Sequence, residues 1–293
     1  MYFPSKLLFL SSILFTTFSK SSQAEIAGGD LYISIGKSIN IIDTNFTGSS
    51  APKGSFLSVE EMEGKLIISK THVKDIYSND DSTFILAVSS GSIDITDSVF
   101  ENINSPLLLI SKTTVLMNHV IFNQVSCPRS ANSFCLLKTT SSDSIKIANS
   151  SLTNINSNVD LISLSGLTQV LLSNVTAQNM LKITQESFLV PDPIYVLNAL
   201  NIQNLNISES DFTRIGFSGI KAKDSSITIQ KSTFSNNLKT GKDRSLRQAT
   251  DESLYASKLR EPIQFLVLDT SDSVLNSVSF SDNSLNTLVN GGV

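Results

Sequence analysis

The side chains able to do chemistry in this 293-residue chain are few: two His, two Cys, no Trp, and acids that come singly or in close pairs. Cys127 and Cys135 are separated by Pro-Arg-Ser-Ala-Asn-Ser-Phe. In an oxidising compartment thiols that near each other would close a small loop, and the plainer alternative is two buried free thiols. Zinc would be left half-ligated, because no His lies nearby. Four Asn-x-Ser/Thr sequons, at Asn45, Asn149, Asn174 and Asn206, are glycan acceptors in a secreted chain. No Ser/His/Asp constellation, Gly-rich phosphate loop or CxxC is present, and no metal or cofactor is expected. A net charge of -4, spread without long runs, offers no basic stripe to displace counterions from phosphates, so nucleic acid is excluded as a partner.

The compartment follows from the first residues. Lys6 precedes an apolar run from Leu7 to Phe18, and the polar stretch after it ends in Ser22-Gln23-Ala24. Small residues at the third and first positions before a cut fit signal peptidase, so residues 1–24 read as a signal peptide cleaved after Ala24. A run of about twelve apolar residues is too short to span roughly 30 Å of hydrocarbon. The chain is therefore expected to be secreted, or displayed at the cell surface. Its 40% hydrophobic content suffices for a core, while about a sixth of the residues are Ser and only 16% are charged. The surface must be largely neutral and rich in hydroxyls and amides.

The elements that would position any site show themselves as a repeat. The segment 92–103, SIDITDSVFENI, has a template that recurs with its Phe position at Phe46, Val73, Phe100, Phe122, Leu152, Ala177, Phe212, Phe234 and Phe280. Five residues earlier stand Ile41, Ile68, Ile95, Met117, Ile147, Leu172, Ile207, Ile229 and Leu275. Two residues before the Phe position the occupant is always Ser, Thr or Val; two after it Asn is commonest, at Asn102, Asn154, Asn179 and Asn236. Each unit is read as preceded by a second apolar run, at 32–35, 84–88, 107–110, 134–137, 161–164, 195–197 and 265–268. Short runs of period two with Ser/Asn/Gly/Asp punctuation mean strand, not helix.

An antiparallel sandwich has no reason to place one residue type at one phase nine times. A parallel β-helix does, because each residue sits one strand spacing, about 4.8 Å, above its counterpart. The expected fold is all-β: a right-handed parallel β-helix, or solenoid, of about nine coils over residues 25–293. Aliphatic and Phe columns would fill the core, and the Asn column would form a turn ladder, since Asn tolerates left-handed backbone and its amide can bond above and below. The segment 238–262 holds six Lys/Arg and four Asp/Glu and reads as a charged surface insertion.

Units such as 217–237, FSGIKAKDSSITIQKSTFSNN, resemble the pectin-lyase-like right-handed β-helix, and in particular repeat proteins similar to the polymorphic outer membrane proteins of chlamydiae. Phe234-Ser-Asn-Asn237 and Phe280-Ser-Asp-Asn283 match that family's Phe-x-x-Asn element, and Phe217-Ser-Gly-Ile220 is a degenerate form of its Gly-Gly-Ala-Ile element. Secreted eukaryotic proteins of the same kind exist, and the resemblance runs from about residue 30 to 290. It carries fold better than function.

The pectin-lyase-like fold also houses polysaccharide lyases and glycoside hydrolases, and their chemistry can be sought here. Hydrolysis of that kind needs clustered Asp with a His and an Arg-x-Lys, and this chain has only His72 and His119 and no Arg-x-Lys. The nearest acids are Asp94 and Asp97, with Asp43 two units away and Lys70 between, which suggests a surface charge ladder. The lyase alternative needs several carboxylates for Ca²⁺ beside an Arg, and Asp80-Asp81, Asp269 and Asp272 have no Arg near them in the repeat. The expectation is a non-catalytic protein with a structural, adhesive or recognition role, its partners cell-surface or carbohydrate ligands. Near the C-terminus Leu285, Leu288 and Val289 read as the start of another strand with no cap after it. Further coils downstream, or end-to-end self-association, are expected in its place.

Overall fold

In the computed structural model the described residues are 13–14, 17–19, 31–33, 38–48, 57–60, 64–77, 83, 85–88, 91–127, 134–182, 194–235, 237, 266–269 and 272–281. Asn236, Asp80-Asp81, the insertion 238–262, most of the leader and residues 282–293 lie outside them. The structure is all-β, with no helix among the described residues. Its strands are all paired in parallel and form a solenoid-like sheet curled into a half-barrel.

Parallel strands joined by single units must carry matching residues, and the register shows the match. The Phe position runs Phe46–Val73–Phe100–Phe122–Leu152–Ala177–Phe212–Phe234–Phe280, each residue paired with the next. The aliphatic position runs from Ile41 to Leu275 in the same unbroken way. Both columns lie inside as far as Ile229 and Phe234: Ile95, Phe100, Ile229 and Phe234 are buried. Neighbouring rings stack face to face, Phe212 on Phe234 at 4.8 Å and Phe234 on Phe280 at 5.1 Å between centroids. Burying each such side chain contributes about 1.5–3 kcal/mol, and ring stacking adds to that. A third column precedes these two, through Leu57, Ile85, Leu108, Leu137, Ile162, Leu197, Ile220 and Leu266. Two of its strands, Leu57–Glu60 and Ser218–Lys223, carry too little apolar sequence to stand out as runs.

Between the aliphatic and Phe positions the backbone turns through a two-residue corner of constant length. Its first residue is left-handed in every unit, at Asp43, Lys70, Asp97, His119, Asn149, Asn174, Glu209, Lys231 and Ser277, with φ from 48° to 55°. Its second is the Ser/Thr/Val position, and the structure explains the hydroxyl. Ser210 Oγ donates to the Ser208 carbonyl at 2.8 Å and accepts the Val175 N–H at 3.1 Å, so it mends the bonding on both sides of the bend. Ser98, Ser150 and Ser232 repeat the pattern. Small size alone does not account for that choice.

Ser210→Ala should lower stability by about 1–3 kcal/mol, because the buried Val175 N–H and one bond to the Ser208 carbonyl lose their partner. Phe100→Asp should cost more, by placing an unpaired carboxylate inside the stack. Thermal melts followed by circular dichroism rank the two, and equal melting of Phe100→Asp and the parent chain would contradict the column assignment.

Candidate functional site

The acids that could form a catalytic cluster are separated by the register. Asp43 and Asp97 occupy the left-handed corner two units apart, about 9–10 Å by strand spacing, with Lys70 between them. Asp97 meets His119 Nδ1 at 3.5 Å in the following unit. Asp94 lies on a different column and is ion-paired with Lys65 of the preceding unit. Glu101 faces His72 at 3.5 Å, Glu209 faces Lys231 at 3.5 Å and Asp269 faces Lys223 at 3.8 Å. Asp272 is exposed on the last described unit. Each pair joins neighbouring units, and all are at least partly exposed, which limits each to about 0–1 kcal/mol. Among the described residues no three His, Cys, Asp or Glu side chains converge as a metal site.

One carboxylate differs from these, and sequence reasoning did not single it out. Asp160 opens the strand Asp160–Lys182 and is half-buried. Its Oδ1 accepts the Tyr195 N–H at 2.8 Å and its Oδ2 accepts Asn198 Nδ2 at 2.7 Å. Desolvation raises its pKa above 3.8, and the two hydrogen bonds and the Lys221 charge only partly oppose that. The Lys221 ammonium lies 5.5 Å from the centre of the Tyr195 ring, and Lys138, three units earlier in the same register row, lies 6.0 Å from that of Phe134. A raised pKa beside a cation marks a functional candidate. Here, however, both carboxylate oxygens are engaged, one of them on a backbone N–H at the start of the neighbouring strand. The arrangement secures a corner, each oxygen holding a group of the neighbouring strand. The only sequence signal for it was the Asp at the start of an apolar run.

Polar side chains also stack between units. At the expected turn column Asn102 Nδ2 donates to Asp75, Asn179 to Asn154 at 3.4 Å, and Asn154 to Asn123 at 2.9 Å, one residue before the column member Gln124. Asp75, Asn102, Gln124, Asn154, Asn179 and Arg214 are all left-handed, with φ from 53° to 57°. A second amide ladder stands at the other corner, where Asn174 Nδ2 donates to Asn149 Oδ1 at 2.8 Å and Asn149 Nδ2 to Asn118 Oδ1 at 2.9 Å. Two sequon residues thus belong to a ladder. Asn45, Asn149 and Asn174 are exposed, and Asn206 is half-buried. Cys127 and Cys135 are joined by a disulfide and wholly buried, tying the end of Ile121–Cys127 to the start of Phe134–Thr140.

No family model, curated protein or solved structure matches the chain. Among the described residues no helix is long and apolar enough to cross a membrane.

Because the Asp160 pKa is raised, the folded chain holds that proton more tightly than the unfolded one between the unfolded value and the folded value. The charged carboxylate therefore costs stability at neutral pH, and the cost fades as pH falls through the folded value. Asp160→Asn keeps an acceptor for the Tyr195 N–H and removes the charge. Its melting temperature should equal or exceed the parent's at pH 7, with the difference shrinking on acidification toward pH 4; a difference that widens on acidification would contradict the assignment.

Proposed function

We propose that the chain is a right-handed parallel β-helix of about nine coils, of the pectin-lyase-like kind with repeats like those of the polymorphic outer membrane proteins. In this reading residues 1–24 are removed on secretion, the exposed sequons carry glycans, and the protein works outside the cell or at its surface. Its role is structural, adhesive or in recognition, with no reaction catalysed. The observation that supports it is electrostatic. The acids at Asp94, Asp97, Glu101, Glu209 and Asp269 each meet a basic side chain from another unit, and each oxygen of the half-buried Asp160 accepts a hydrogen bond from the neighbouring strand. General acid–base work on a sugar needs two carboxyl groups held apart on either side of one bond. What the long faces offer in its place is a regular array of hydroxyls, amides and lysines, fit for an extended polar ligand such as a surface polysaccharide.

The enzyme reading has one observation in its favour, the raised pKa of Asp160. The purified secreted protein, incubated with polygalacturonate and other uronic-acid polymers with and without Ca²⁺, should leave chain length unchanged. Depolymerisation that disappears in Asp160→Asn would overturn the non-catalytic reading and place the reaction at that carboxylate.

A further inference from the structure

The repeat template occurs once more in the leader itself. Ile13 and Phe18 stand five residues apart with Thr16 two before the Phe, as in the units that follow. The backbone bears this out: Ile13–Leu14 pairs in parallel with Ile41–Ile42, Thr17–Ser19 pairs with Asn45–Thr47, and Ile13 and Phe18 fall in register with Ile41 and Phe46. The slot in front of Ile41 and Phe46 therefore accepts an aliphatic and an aromatic residue, five apart, on parallel strands.

The opposite end of the described structure presents that same pair. Leu275 and Phe280 are in register with Ile229 and Phe234 on one side. Among the described residues nothing pairs with their other side, and Leu275 is 41% exposed, whereas every other member of its column from Ile41 to Ile229 is at most 3% exposed. Phe280 is only partly buried against the core, although Phe234 beneath it is 1% exposed. Strand direction is equal at both ends, so the tail edge of one copy is complementary to the head edge of another.

We propose that, once residues 1–24 are gone, the mature chain docks head to tail with a second copy of itself. Asp272–Asn276 and Ser279–Ser281 of one copy take the place of Ile13–Leu14 and Thr17–Ser19 on the next. Leu275 then lies on Ile41 and Phe280 on Phe46, continuing both columns across the junction. A second copy is the occupant because its residues match the slot in type, spacing and direction, and because the corners agree. Ser277 arrives beside Asp43, a hydroxyl next to a carboxylate, and Val278 arrives beside Thr44 in the column of small and β-branched residues. Such a contact uses two different surfaces and does not close on itself, so it propagates into strings. While the leader is attached it fills the head slot and blocks assembly. The inference rests on the secreted reading only through leader removal.

The test uses protein recovered from a secreting host, its N-terminus at residue 25 confirmed by sequencing; where the host leaves the leader in place, a protease site inserted after Ala24 frees it. Sedimentation velocity over a wide concentration range should give a mass that climbs past two copies as concentration rises. Leu275→Lys alters an exposed position, so its melting curve should be unchanged while it sediments as a monomer. Added in small proportion to the parent chain it should shorten the strings, because its intact head accepts a parental tail and its own tail accepts nothing. A parent chain monomeric at every concentration would overturn the inference, as would a closed dimer, or a Leu275→Lys chain that still assembles. None of these results bears on the polysaccharide assay, so the two readings fail separately.

Discussion

Everything in this molecule depends on keeping parallel strands in register through a bend. A parallel ladder continues only if each N–H still finds a carbonyl one unit away, and the corners are where it would fail. The chain meets this with two residues. The first turns left-handed and still donates across the ladder, as Lys70 N–H does to the Thr96 carbonyl at 3.1 Å and Lys231 N–H to the Asn276 carbonyl at 2.9 Å. The second supplies a hydroxyl that accepts from one unit while donating within its own. The cost is visible in the residues that bear it: among the described residues nineteen non-glycine residues have positive φ, and only ten are Asn or Asp. Lys70, His119 and Glu209 adopt a conformation their side chains disfavour by an amount on the order of 1 kcal/mol each. They hold it because the ladder on either side leaves no other position for the backbone.

That requirement also decides where the chain can vary. The aliphatic and Phe positions are always five residues apart, with a two-residue break in seven units and one continuous strand through 149–150 and 174–175, whereas the connection from a Phe strand to the first strand of the following unit ranges from two residues at 158–159 to thirty at 236–265. All large variation in repeat spacing is thus confined to one corner. The unusual features gather there too: the disulfide, the half-buried Asp160, and the four consecutive buried residues Phe134–Leu137. The register shifts between Phe134 and Leu137, so the regular alternation of faces is interrupted at that buried run.

The sequence made the two interior columns legible because they are apolar and locked to a fixed separation of five residues. The register joins the same nine pairs that the template picks out, including Val73 and Ala177, whose side chains alone would not suggest a Phe column. Two things were hidden. The residue three before the Phe position reads as a charge ladder when only its side chains are considered, but its constant property is a backbone angle shared by Asp, Lys, His, Asn, Glu and Ser. Composition cannot show an angle that so many residue types can be forced to adopt. The Asp160 network was hidden for another reason: its partners Tyr195 and Asn198 are more than thirty residues away in the chain, and no local pattern links them.

The same stacking rule bears on function. Catalysis requires unlike groups to converge on one point, whereas a column of counterparts sets like beside like at about 4.8 Å and makes any run of equal charge unfavourable. The chain answers with alternation, acid against base in successive units, and with neutral amide ladders such as Asn118–Asn149–Asn174, where polarity accumulates without charge. A proton-shuttling pair would have to be built where the stacking is interrupted, at the corner of variable length, where Asp160, half-buried, accepts a backbone N–H. A surface made this way is suited to contacts repeated along its length, each weak and all alike. Recognition of an extended partner, or of another copy continuing the same ladder, uses that regularity directly, while a reaction centre would have to break it.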